Sequence, residues 1–182
     1  MVRESGLVIQ VPEVEPVVGA LRERLDPLAR LGVPAHVTVL YPFVPPEELD
    51  ETTLDLLRRT FAVLPAFDFV LDQTRWFGEE VLWLSADDDR PFRQLTSCAF
   101  AAFPDHAPYD GQFGTDPNPH LTIGVGAEPA ELREAERRLQ PHLPMTGVAT
   151  SVSLLVQDDL GLWSRQDRFP LAAPGRQPST SV

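Results

Sequence analysis

Two short patterns in this chain carry side chains able to do acid–base chemistry: His36-Val37-Thr38 and His120-Leu121-Thr122. Each sits in an apolar run just behind a proline, Pro34 in one case and Pro119 in the other. In an extended strand residues i and i+2 share a face. Each pattern therefore offers one imidazole and one hydroxyl to one side and apolar side chains to the other. Together they supply two of each. That set suits displacement at phosphorus, where an in-line substitution needs a base on the attacking oxygen and an acid on the leaving oxygen. Histidine can fill either role, since its unperturbed pKa is about 6.5. Threonine hydroxyls can donate to the non-bridging oxygens, where negative charge concentrates in the transition state. The scheme calls for no metal and no cofactor, and no cluster of His, Cys and carboxylates has ligand spacing.

A lone His-x-Thr on a strand is a weak signal, because threonine favours strands and histidine is commonly just half-buried. Two copies in equivalent settings are a stronger one. The interval from His36 to His120 equals that from Thr38 to Thr122. The remaining histidines, His106 and His142, lack such a context, and His142 suits a helix C-terminus. Four aromatic residues are candidates to bind substrate: Phe43, Trp83, Phe113 and Trp163. Stacking on a base is the functional reading and core packing the competing one. Plain alternation puts Tyr41 on the core face with Val37 and Val39, whereas a bulge in the strand would turn it to the other face, so a structural and a functional role weigh equally. Arg75, Arg165 and Arg168 lie on or beside the central strands, with solvent exposure weighed above phosphate contact.

Composition excludes several classes. The 15 basic residues, all arginine, face 27 acidic ones, for a net charge of −12. Such a surface repels long polyphosphates, so duplex DNA and extended RNA are poor partners while a small nucleotide or an RNA end stays compatible. With no lysine in the chain there is no P-loop lysine, Schiff base or lysine-linked nucleotidyl intermediate. No segment is long and apolar enough for a membrane span, and the first residues carry no secretory pattern. A single cysteine, Cys98, in an apolar helical pattern, fits packing and a cytoplasmic setting.

The elements that position the two patterns follow from periodicity. Strands are expected at 7–11, 36–41, 67–76, 81–86, 119–125, 148–157 and 162–169. Helices are expected at 14–31, 45–64, 91–103 and 129–143. Asp87-Asp88-Asp89 reads as a helix N-cap rather than a cation loop. Residues 104–118, rich in Pro, Asp and Gly, form a long loop of the kind that often serves a site. From residue 81 onward the order of elements repeats that of the first half, so an internal duplication with a pseudo-twofold axis is the economical explanation.

At these residues the chain resembles the two-histidine phosphoesterase superfamily, in particular its 2′-5′ RNA ligase-like and cyclic phosphodiesterase branches. The resemblance rests on His36-Val37-Thr38-Val39-Leu40-Tyr41-Pro42-Phe43 and Pro119-His120-Leu121-Thr122-Ile123-Gly124, and on the element order over about residues 5–170. It implies an α+β, bilobal, duplicated fold in which two antiparallel sheets line a central cleft and helices pack outside. It also implies that His36, Thr38, His120 and Thr122 are catalytic, without saying which histidine is acid and which base. Residues 1–171 are expected to form one two-lobed domain, with 172–182 a tail. The reaction implied is hydrolysis of a 2′,3′-cyclic or 2′-5′ phosphodiester. The alternatives are 2′-5′ ligation of RNA ends and a non-catalytic phosphate-binding protein using the same cleft.

Overall fold

The computed structural model describes residues 3–173. Its strands are β1 (Ser5–Gln10), β2 (His36–Leu40), β3 (Phe67–Phe77), β4 (Val81–Ala86), β5 (Leu121–Val125), β6 (Met145–Ala149), β7 (Ser151–Gln157) and β8 (Trp163–Pro170). Its α-helices are α1 (Glu15–Leu25), α2 (Pro27–Arg30), α3 (Glu51–Ala62), α4 (Arg90–Ala102) and α5 (Pro129–Leu139). The strands form two antiparallel sheets of four, ordered β2-β1-β7-β8 and β5-β4-β3-β6. The two His-x-Thr strands thus occupy corresponding edges of the two sheets, and there they meet. This is the α+β, duplicated, two-sheet architecture expected.

The halves are tied by crossing. Helix α1 follows β1 but packs on β5, in the other sheet, and α4 follows β4 but packs on β2. The apolar stripe Val18, Leu21 and Leu25 of α1 and the stripe Phe92, Leu95 and Ala99 of α4 enter one continuous core with Val37, Val39, Leu121 and Ile123. Burying such side chains stabilises by roughly 1.5–3 kcal/mol each. Gly124 marks how tight the fit is. A Cβ there would lie 2.6 Å from Leu132 Cδ2 on α5 and 2.8 Å from Leu25 Cβ on α1.

Several expected boundaries move, each for a local reason. The helix expected over 14–31 breaks at Asp26, whose carboxylate accepts the Leu28 N–H and starts a new turn at Pro27. The helix expected from 45 begins at Glu51 instead, N-capped by Asp50, after a 3-10 turn at Pro46–Glu48. Among the three adjacent acids, Asp88 accepts the Arg90 N–H while Asp89 holds the Arg93 side chain. The strand expected over 148–157 is two strands. The chain leaves one sheet after Ala149 and enters the other at Ser151, with Thr150 as the joint. Alternation cannot reveal this, because the local pattern stays extended across the joint. Leu171 donates to the Thr150 carbonyl and Ala172 pairs with Leu64 and Ala66; residues 174–182 of the expected tail lie outside the described residues.

Candidate active site

Burial along the two motifs follows the expected alternation for four residues, from His36 and from His120, and then slips. Val37 and Val39 are buried while His36 and Thr38 are half-buried; then Leu40 is buried as well. The register shows why. Val8 pairs with Thr38 but Leu7 pairs with Leu40, so β2 carries a bulge at Val39. In β5, Trp83 of β4 pairs with Thr122 but Leu82 pairs with Gly124, a bulge at the equivalent Ile123. Each bulge reverses the phase of its strand. Tyr41 and Val125, the next residues along, therefore return to the face of the histidines, where both line the same cavity. The bulge that would turn Tyr41 away from the core face is thus present, and the alternative left open for that residue is the one realised.

That cavity, about 180 Å³, is lined by His36, Thr38, His120 and Thr122 together. The imidazoles are fixed alike. His36 Nδ1 lies 2.8 Å from the Pro34 carbonyl and His120 Nδ1 lies 2.8 Å from the Asn118 carbonyl, the residue two before in each case. A carbonyl only accepts, so each Nδ1 carries the proton and each Nε2 is left with its lone pair. Burial strips water from His36 and holds its pKa down at about 4, against a raising effect of the Pro34 carbonyl; nearby Arg22 also lowers it. Burial lowers His120 as well.

The floor and walls differ on the two sides. Beside His36 lies an apolar slot of Val8, Val33, Leu155 and Trp163, with Leu28 at its mouth. Tyr41 meets Trp163 edge-on at 6.3 Å between centroids and donates its hydroxyl proton to Glu4 at 2.7 Å. Beside His120 an outer cavity of about 440 Å³ opens toward Phe113, sharing Tyr109, Thr122 and Val125 with the inner one. Tyr109 stands between the two. Its N–H donates to the Tyr41 carbonyl at 2.6 Å, its ring lies parallel to His120 at 6.5 Å, and its hydroxyl is beside Thr38. Tyr109 and Asp110 both adopt left-handed backbone, with φ of 50° and 52°. Strain of this kind in residues with a Cβ persists where surrounding contacts enforce it.

Behind the histidines lies a buried ion pair. Arg22, on the apolar face of α1, is 2% exposed. Its Nη2 donates to Asp26 at 2.7 Å, its Nη1 to the Val33 carbonyl at 3.2 Å and its Nε to the Thr122 carbonyl at 3.1 Å. One guanidinium thus ties the turn leading into His36 to the strand carrying Thr122.

The four candidate aromatic residues fare differently. Trp163 lines the inner cavity and Phe113, 67% exposed, rims the outer one. Trp83 is on the cleft side of its sheet but almost buried. It stacks on Phe77 at 4.6 Å and meets His120 edge-on at 5.8 Å, and so backs that ring rather than facing the cavity of both histidines. Phe43 is corrected outright. It is 3% exposed, its N–H is held by the Ser5 carbonyl, and its ring packs edge-on to Phe103 and against His106 in the core. Sequence reading missed Tyr109, which no periodicity marks. It missed Arg22 too, though an arginine four residues after Val18 on a buried stripe, and four before Asp26, was a usable signal.

The model of the 2′-5′ RNA ligase superfamily matches residues 11–161. No curated protein sequence matches the chain. Among solved structures, Escherichia coli LigT in complex with 3′-AMP is similar with a TM-score of 0.59 at 16% identity, over 94% of this chain and 99% of that one. A structure described as a phosphoesterase gives 0.61 at 19%, over 93% and 99%. The Thermus thermophilus protein TT0787 gives 0.62 at 19%, over 94% and 100%. At these identities the structural likeness speaks for the fold.

Proposed function

The chain belongs to the 2′-5′ RNA ligase superfamily of two-histidine phosphoesterases, and we propose that it is a metal-independent phosphodiesterase that opens a 2′,3′-cyclic or related phosphodiester of a small nucleotide or RNA end. The observation that carries this reading is the matched pair of imidazoles. Each is locked through Nδ1 to a backbone carbonyl, and each leaves Nε2 free in a shared cavity. His36, the more strongly depressed of the two, stays neutral and takes the proton of the attacking water. His120 carries the proton to the departing ribose oxygen, on the opposite side of the phosphorus. Thr38 and Thr122 donate to the non-bridging oxygens as their charge grows.

The surroundings fit a nucleotide of modest size. The apolar slot beside Trp163 accepts a nucleobase or the sugar's apolar face, and the outer cavity near Phe113 leaves room for the rest. The 3′-AMP in the similar LigT structure is a ligand of that class.

The test is turnover of the four 2′,3′-cyclic mononucleotides in EDTA by wild type, His36→Ala and His120→Ala. Loss of an acid or base typically removes about 10²–10⁴-fold of rate, so both variants should fall by at least that. Wild-type inactivity on all four bases, or a His120→Ala variant that keeps its rate, refutes the scheme.

A further inference from the structure

On the cleft side of the first sheet, beyond His36, lies a second polar cavity of about 310 Å³. Strand β8 runs along its far wall. In plain alternation Arg165 and Arg168, three residues apart, would point to opposite faces. The register prevents that. Leu155 pairs with Arg165, Leu154 with Asp167 and Ser153 with Arg168, so β8 is bulged at Gln166 and both arginines share the cleft face with Leu155 and Ser153. Asp167, left on the other face, holds Arg58 of α3 instead.

Both arginines are without a carboxylate partner among the described residues, in a chain of net charge −12. Glu13 lines the same cavity without forming an ion pair to either. Arg168 donates through Nε to Ser151 Oγ at 2.5 Å and through Nη2 to Thr150 Oγ1 at 3.2 Å. A hydroxyl that accepts from a guanidinium keeps its own proton free to donate to another acceptor. Ser153, 2% exposed, adds another hydroxyl at the floor. Gln10 joins this cavity to the active site. It pairs with His36 across β1 and β2, and its side chain receives Arg165 Nη1 at 3.5 Å.

We propose that Arg165, Arg168, Ser151 and Ser153 form a second phosphate subsite, which binds a backbone phosphate of an oligonucleotide substrate away from the bond being cut. The inference rests on the phosphodiesterase reading above. Strands are spaced at about 4.8 Å, so the three steps from β2 to β8 set the arginine backbones roughly 14 Å from that of His36. The Arg168 guanidinium is tied at Ser151 and Thr150 and Arg165 reaches in as far as Gln10, so the pair suits a phosphate further along the same chain than the one held at the histidines. Donors of this kind, charged and planar, match phosphate oxygens. The subsite makes a short RNA end a better substrate than a mononucleotide, while the acidic remainder of the surface still turns away long RNA.

The experiment compares kcat/KM for a trinucleotide ending in a 2′,3′-cyclic phosphate with that for the 2′,3′-cyclic mononucleotide, at low salt. Proteins are wild type, R165A/R168A and, as a control for charge alone, R59A, an exposed arginine on α3. The expected ratio is above ten for wild type and R59A, and falls by roughly tenfold or more in R165A/R168A, the loss typical of a charge-assisted hydrogen bond. In wild type the ratio shrinks as salt rises, and in the double variant it barely responds. A wild-type ratio near one, or a double variant with the wild-type ratio, overturns the proposal. If wild type turns over neither substrate, the reaction assigned above is at fault, and the subsite is judged by binding of a fluorescein-labelled trinucleotide 3′-phosphate. Affinity weakened about tenfold in R165A/R168A then supports it, and unchanged affinity refutes it.

Discussion

The Arg22 guanidinium is the point at which stability and site geometry are most tightly joined, and its removal has a calculable consequence. Replacing Arg22 by methionine keeps an apolar stem of similar length on the buried face of α1. It also strips the Thr122 and Val33 carbonyls of a donor and leaves Asp26, itself 2% exposed, without its cation. Removing one partner of a buried pair typically costs about 3–5 kcal/mol, chiefly because the surviving charge stays uncompensated. Adding Asp26→Asn removes that charge while retaining an oxygen for the Leu28 N–H, so the cap survives. R22M should therefore lose about 3–5 kcal/mol in urea unfolding at unchanged m value, and R22M/D26N should recover at least about 1 kcal/mol of it. A loss below about 1 kcal/mol for R22M, or a further loss on adding D26N, would show that the pair does not hold the structure as argued.

Two further predictions bear on the site and its support. With His36 as base, held down at about 4, and His120 as acid, held below its ordinary value, kcat/KM rises as pH passes about 4 and falls again before about 6.5. A pH profile with its optimum above neutrality contradicts that assignment. Gly124→Ala places a methyl closer to Leu132 and Leu25 than real Cβ atoms come, so α1 or α5 must shift from β5. The expected loss of about 1–3 kcal/mol lowers Tm by roughly 3–10 °C, and a Tm within about 1 °C of wild type refutes the tight fit.

What the sequence could disclose follows from which interactions are local. The two His-x-Thr patterns were legible because chemistry and strand alternation coincide within three residues, and their equal separation exposed the duplication. The bulges at Val39, Ile123 and Gln166 were not legible, since each is defined by the partner strand's register. Tyr41 and the paired arginines of β8 depend on those bulges for the faces they occupy. Phe43 failed as a site candidate for a related reason. Beyond the stop at Pro42 no periodicity assigns Phe43 a face, and the turn there sends it into the core against Phe103 at the end of α4. Tyr109 comes from a loop that carries no periodicity, and only its contacts with Tyr41 and His120 give it a place.

The duplication also bears on how two equivalent histidines come to sit in different surroundings. Backbone symmetry gives both the same carbonyl lock, two residues back, and the same bulge three residues on. The side chains beyond that frame break the equivalence. Where the first strand returns Tyr41 to the cleft, anchored to Glu4 and closed over by Trp163, the second returns Val125, 41% exposed and anchored to nothing comparable. His36 is consequently walled by an apolar slot whose burial opposes its protonation, while of the ion pair behind it Arg22 opposes protonation and Asp26 favours it. His120 borders the open outer cavity and is opposed by burial alone. In the proposed scheme a single proton shared between the two imidazoles rests on His120, the less strongly depressed of the two. A symmetric pair would divide that proton equally and spend half its time with acid and base exchanged; in the proposed reaction the unequal walls favour one direction of attack.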